Sequence, residues 1–156
     1  LGWDAAGERW PLLLSNFGAL NCLPDNEHLA NKLADLVEPG GHVIAVVMGP
    51  LCLWEVAYFA LHADARAWRR WSGDGESIDL YYPSPRRLMT LLAPRFEPVG
   101  PLTGIGIFEP PSYAFHLHER CPQLFAGFAA MERPVRHLWP FNRIADHYVL
   151  VARRRG

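Results

Sequence analysis

An apolar run, Leu12-Leu13-Leu14, stops at a polar turn that carries a glycine: Ser15-Asn16-Phe17-Gly18-Ala19-Leu20-Asn21-Cys22-Leu23-Pro24-Asp25. Beyond the turn, Leu29, Leu33, Leu36 and Val37 recur at helical spacing, and Pro39-Gly40-Gly41 punctuates the chain. A second apolar run follows, Val43-Ile44-Ala45-Val46-Val47-Met48, rich in β-branched residues. Strand, turn, helix and strand in that order form a βαβ unit. Continuous apolarity in the second run predicts a parallel strand covered on both faces. Ligands of open α/β sheets sit outside the carboxyl ends of the strands. The turn at residues 15–20 leaves such an end, and function is expected there.

The remaining pattern extends this α/β reading. Asp25 is placed to cap the first helix, with Glu27 in its first turn, and Pro39-Gly40-Gly41 to end it. Residues 51–62 have the length and apolarity of a helix, continued after a bend by residues 66–71, and Gly73-Asp74-Gly75 makes a turn. Ser84-Pro85 begins a helix bearing Leu88, Leu91 and Leu92, which stops at Pro94. Residues 96–99 and 102–108 form an irregular strand, and residues 123–132 a helix with Leu124, Phe125, Phe128 and Met131 on or near one face. Residues 147–152 form a last strand before the basic tail Arg153-Arg154-Arg155. Residues 1–156 read as a single domain with two long connections, 49–83 and 109–145, against a usual length of about 2–6 residues. The first leaves the carboxyl end of strand 42–48. With strand 96–108 parallel to it, the second leaves the same face, and the two roof the crevice above residues 15–20.

Composition excludes several classes of function. The net charge of -1 gives no pull towards nucleic acid. Arg66, Arg69 and Arg70 among Trp68 and Trp71 read as a solvated helix face rather than a stacking platform. No apolar run reaches the roughly 18 residues of a membrane span; the longest, 43–54, is broken by Gly49-Pro50. Cys22, Cys52 and Cys121 are too few and too scattered for a disulfide framework or a zinc motif, which points to a reducing cytoplasm. His116 and His118 stand at i, i+2 with no Cys or Asp beside them, so no metal site is expected.

The ordered set Leu14-Ser15-Asn16-Phe17-Gly18-Ala19-Leu20, Pro39-Gly40-Gly41-His42-Val43-Ile44, Tyr82-Pro83-Ser84-Pro85-Arg86-Arg87-Leu88 and Asp146-His147-Tyr148-Val149-Leu150 resembles the class I S-adenosylmethionine-dependent methyltransferases. The likeness is to their small-molecule branch. It implies a Rossmann-like sheet of which this chain is the C-terminal half. The four segments then look like strand four and its turn, the loop into strand five, the start of the last crossover helix, and strand seven. By the same resemblance strand seven is antiparallel and lies between strands five and six. The family's glycine-rich loop after strand one and its ribose-holding acidic residue after strand two have no counterpart here. Thr103-Gly104-Ile105-Gly106 is no substitute, since no helix follows it. Together with the leading Leu1, this leads to the expectation that the chain is the C-terminal, substrate-side part of a longer enzyme.

The resemblance implies that Ser15, Asn16, Phe17 and Gly18 lie beside the methionine end of S-adenosylmethionine. Small-molecule pockets are mostly apolar and aromatic, and Trp54, Tyr58, Tyr81, Tyr82 and Tyr113 in the two connections are the candidates to line one for a small apolar acceptor. His116, His118 and Glu55 are candidate general bases, but methyl transfer can proceed by positioning alone, and no catalytic residue is assigned. The alternative is a non-catalytic methyltransferase-like module for binding or dimerisation. Under either reading the first strand, Leu12–Asn16, is expected at a sheet edge, where its apolar residues invite self-association.

Overall fold

A computed structural model of the chain describes residues 7–16, 18–23, 28–62, 64, 80–109 and 119–156. The described residues form five strands and four helices: β1 (Trp10–Ser15), α1 (Leu29–Leu36), β2 (Val37–Met48), α2 (Leu53–Leu61), α3 (Pro85–Leu92), β3 (Phe96–Pro98), β4 (Thr103–Ile105), α4 (Pro122–Val135) and β5 (His147–Arg154). They build one sheet of order β1-β2-β5-β3, with β4 also paired to β5. β1 runs parallel to β2, while β5 runs antiparallel to β2, β3 and β4. The last strand is therefore inserted against the direction of all the others, between β2 and the β3/β4 edge.

One face of the sheet is packed. Val43, Ala45, Val47, Tyr148, Leu150 and Ala152 are buried under Leu29, Ala30, Leu33 and Ala34 of α1 and Leu88 and Leu92 of α3. On the opposite face the register lines up Leu14 with Ile44 and Ile44 with Val151, and Val46 with Val149. There Leu12 and Leu14 are 52% and 58% exposed, and Ile44, Val46, Val149 and Val151 are half-buried. The expectation that β2 is equally covered on both faces is thus corrected. Burial alternates with period two, because helices press on one face only among the described residues.

Local chemistry explains most boundaries. Ser84 Oγ accepts the N–H of Arg87 at 3.2 Å and Pro85 begins α3, which buries Leu88, Leu91 and Leu92. α1 begins at Leu29 after His28; Asp25 and Glu27, expected to cap it, lie outside the described residues. Val37 is not the last helical residue but the first of β2. Pro39-Gly40-Gly41 does not stop the helix either. Trp10 pairs with Val37 while Leu12 pairs with His42, so these residues form a bulge within the paired strand. A Cβ on Gly41 would lie 2.9 Å from both Pro11 O and Val37 Cγ1, which leaves room only for hydrogen. α4 buries Phe125 but exposes Leu124 (53%) and Met131 (55%), because its inward face follows Phe125, Phe128 and Glu132. Glu132 fastens the helix: its carboxylate accepts the N–H groups of Gly106 (2.9 Å), Ile107 (3.0 Å) and Phe108 (3.5 Å). Residues 66–71 and 73–75 lie outside the described residues.

At the β3–β5 edge, Glu97 stands directly across from Arg153 and pairs with it and, at 3.6 Å, with Arg155. The hydrogen bond from Arg153, then its charge, with a smaller pull from Arg155, holds the Glu97 carboxyl below the usual glutamate range. A lowered folded-state pKa means that the pair's contribution is complete above the unfolded value and is lost as pH falls through the folded one. Glu97→Gln is therefore expected to lower neutral-pH stability slightly, as for an exposed pair, and to remove the same small amount from the acid-side decline, so that the two proteins converge at low pH in urea unfolding over a pH series.

Candidate functional site

β1 ends at Ser15, whose last ladder partner is Ala45, three residues short of the end of β2. The chain then turns: Asn16 O accepts Ala19 N–H at 3.2 Å, and a 3-10 turn spans Ala19–Cys22. Gly18 begins it at φ 71°, a left-handed conformation that costs an ordinary residue about 1–2 kcal/mol. A Cβ there would lie 2.8 Å from Met48 Cε and 3.1 Å from Asn21 Oδ1. The close approach that glycine permits is thus to the end of β2 and to Asn21.

Asn21 takes over where β1 stops. It has no exposed surface. Its Oδ1 accepts Met48 N–H at 3.0 Å, and its Nδ2 donates to Met48 O at 3.0 Å and to Tyr81 O at 2.6 Å. Its backbone O accepts Tyr81 N–H at 2.8 Å. Both N–H donors of the side-chain amide and its oxygen are engaged, three of its four hydrogen-bonding sites. Tyr148 Oη donates to Pro83 O at 2.9 Å, so residues 81–83 are strapped across the carboxyl end of β2 from two sides. This brings Tyr81 (exposed) and Tyr82 (half-buried) beside the turn.

The two long connections touch through aromatic rings. Trp54 of α2 lies 6.1 Å from Phe125 of α4, Phe125 packs edge-on against Phe128 at 5.5 Å, and Phe108 joins Phe128 and Phe141. Tyr58, one turn after Trp54, instead packs on Phe59 and His62. Trp54 and Tyr58 thus meet different neighbours. Phe17 and Tyr113 lie outside the described residues, as do His116 and His118. Glu55 is 1% exposed in the first turn of α2. Asn21 and Phe125 are the residues that sequence reasoning passed over in this region. Phe125 stood in the α4 pattern, while nothing local distinguishes Asn21 from any other turn asparagine.

Ser15 Oγ is buried and has no hydrogen-bond partner among the described residues. It sits at the carboxyl end of β1, and Asn16 beside it is exposed. This end therefore retains a buried hydroxyl whose hydrogen-bonding capacity no described residue uses. A cleft of about 520 Å³ lies at the opposite end of the sheet and is lined by Pro39, Gly40, Glu97 and Arg153 to Gly156. Its arginines are already engaged, Arg153 and Arg155 with Glu97 and Arg154 with Val37 O, so it is not the candidate site.

No protein-family model and no curated protein matches the chain. Among solved structures, an S-adenosylmethionine-dependent methyltransferase from Mesorhizobium loti is similar, with a TM-score of 0.50 and 13% sequence identity. The match covers 94% of this chain and 62% of that one, so this chain spans less than two thirds of its length. At such identity the likeness shows the fold alone, a mixed α/β sheet.

Asn21→Asp keeps the acceptor for Met48 N–H but sets a carboxylate oxygen against two carbonyls. It is expected to cost about 3 kcal/mol or more in urea unfolding at neutral pH. Gly18→Ala should cost at least about 1–2 kcal/mol from its backbone conformation alone.

Proposed function

We propose that this chain is the acceptor-side part of a class I S-adenosylmethionine-dependent methyltransferase of the small-molecule branch, acting in the cytoplasm. The observation that carries the reading is the fold likeness over nearly the whole chain to a solved methyltransferase. The antiparallel β5 between β2 and the β3/β4 edge agrees with it. In this reading β1, β2 and β5 are strands four, five and seven, and residues 49–83 and 109–145 form the roof over the acceptor.

When bound, S-adenosylmethionine supplies an electrophilic methyl group on a sulfonium. Ser15, Asn16, Phe17 and Gly18 would hold its reacting end, with the Ser15 hydroxyl, which no described residue engages, as the polar contact. The chain's own contribution is placement: Asn21 and Tyr148 hold residues 81–83 over the end of β2, and the Trp54–Phe125 contact joins the two connections. Alignment of two reactants in a water-poor site can supply much of the rate enhancement without covalent participation. Trp54, Tyr58, Tyr81, Tyr82 and Tyr113 are assigned to the acceptor side. Burial against aromatic surface contributes about 25 cal/mol per Å², which favours a lipid-like, quinone-like or polyketide-like acceptor over a sugar phosphate. In the intact enzyme, Trp54→Ala is expected to raise the KM for the acceptor at least about tenfold, the loss of roughly 1.4 kcal/mol of binding, and to leave the KM for S-adenosylmethionine nearly unchanged. Equal effects on both would overturn the assignment.

A second reading, a non-catalytic binding or dimerisation module, draws on β1. Its outer edge has no strand partner among the described residues, and Leu12 and Leu14 are exposed on it. Edge strands of this kind template pairing. The chain is expected to self-associate through β1 in sedimentation, and Leu12→Lys with Leu14→Glu to reduce the associated fraction. A monodisperse parent species would remove this reading.

A further inference from the structure

Cys52 and Glu55 lie far from Asp146 in sequence, yet one ligand atom of each of the three lies within 4.8 Å of the others. Cys52 is the residue before α2, Glu55 stands in its first turn, and Asp146 immediately precedes β5. One hydrogen bond holds the two segments together, Leu53 N–H donating to Ile144 O at 3.2 Å, while Asp146 N–H is anchored on Gly106 O at 3.3 Å. Cys52 and Glu55 are each 1% exposed, whereas the Asp146 side chain is 22% exposed and opens the group to solvent on one side.

We propose that these three side chains bind a single zinc-class divalent cation, a site that does not depend on the methyltransferase reading. The donor set selects the metal class. Calcium and magnesium take oxygen ligands almost alone, whereas a thiolate beside carboxylates suits zinc and its borderline-soft neighbours. Zinc–ligand bonds of about 2.0–2.3 Å set tetrahedral donors roughly 3.5 Å apart, a contraction within reach of side-chain torsions on two fixed segments. Cys52 and Glu55 sit at the amino end of a nine-residue helix, so the helix fixes their spacing. The His147 ring supplies the outer support: its Nδ1 lies 3.0 Å from Asp146 Oδ2, an arrangement that orients a ligating carboxylate. Three donors from the described residues leave a fourth position to be filled by water, an exogenous ligand or a further side chain of the protein. His147 pairs with Met48, the residue that Asn21 grips, so this centre stands at the same carboxyl end of β2 as the candidate turn.

The test uses Co²⁺ alone as the probe, in the full chain with the exposed Cys22 and Cys121 changed to Ser so that they cannot contribute thiolates. The expected result is saturable binding of one equivalent, with a thiolate-to-cobalt absorption band in the near ultraviolet, displaced by Zn²⁺ and not by Mg²⁺, and a chelator-reversible rise in Tm with Zn²⁺. Cys52→Ser should abolish the band, Asp146→Asn should weaken affinity more than about tenfold, and His147→Ala about tenfold. No saturable binding by the folded chain overturns the proposal. A band that persists in folded Cys52→Ser, or an affinity unchanged in Asp146→Asn, overturns it equally. Where Cys52→Ser does not fold, the partly exposed Asp146→Asn decides alone.

Discussion

The buried amide of Asn21 is the contact on which the arrangement at this end of the molecule depends. β1 stops three residues before β2 does, which would leave the Met48 N–H and C=O without partners on that side. Asn21 supplies both, and with its remaining donor and its own carbonyl it captures Tyr81. One side chain therefore performs the task of a strand's last residues and also fixes the return of the first long connection. Gly18 is subordinate to this contact, since any side chain there would push Asn21 and Met48 apart.

Legibility followed the range of the forces involved. The βαβ order, the α3 cap at Ser84, the split strand near residues 96–108 and the last strand from His147 were readable because each rests on local periodicity or capping. The bulge at residues 38–41 was not. Pro-Gly-Gly is a helix stop by local rules, and only the pairing of Trp10 with Val37 shows that the chain is already in the sheet. The uneven coverage of β2 was hidden for a related reason: both of its faces are apolar in sequence, and only packing separates the buried Val43, Ala45 and Val47 from the half-buried Ile44 and Val46.

At the candidate site, residue types were readable and partners were not. The turn at 15–20 could be singled out, and Trp54 could be assigned to an aromatic roof, but its neighbour Phe125 belongs to a different connection. Asn21 carries no local mark of its role. Cys52, Glu55 and Asp146 were weighed separately or not at all, because their association is made by the β2–β5 pairing and not by spacing. The His147 ring lies against the Asp146 carboxylate.

The direction of β5 has a consequence for how the molecule distributes its chemistry. A parallel strand delivers to the crevice whatever follows it; a reversed strand delivers whatever precedes it. Because β5 enters the sheet at the end where β1 and β2 leave it, the residues brought there are Phe141, Asp146 and His147, the tail of the second long connection, while the arginines that follow are sent to the far end beside Glu97. A single inversion thus sorts one continuous stretch of chain, placing an aromatic ring, a carboxylate and an imidazole on one rim of the sheet and a cluster of guanidinium groups on the other.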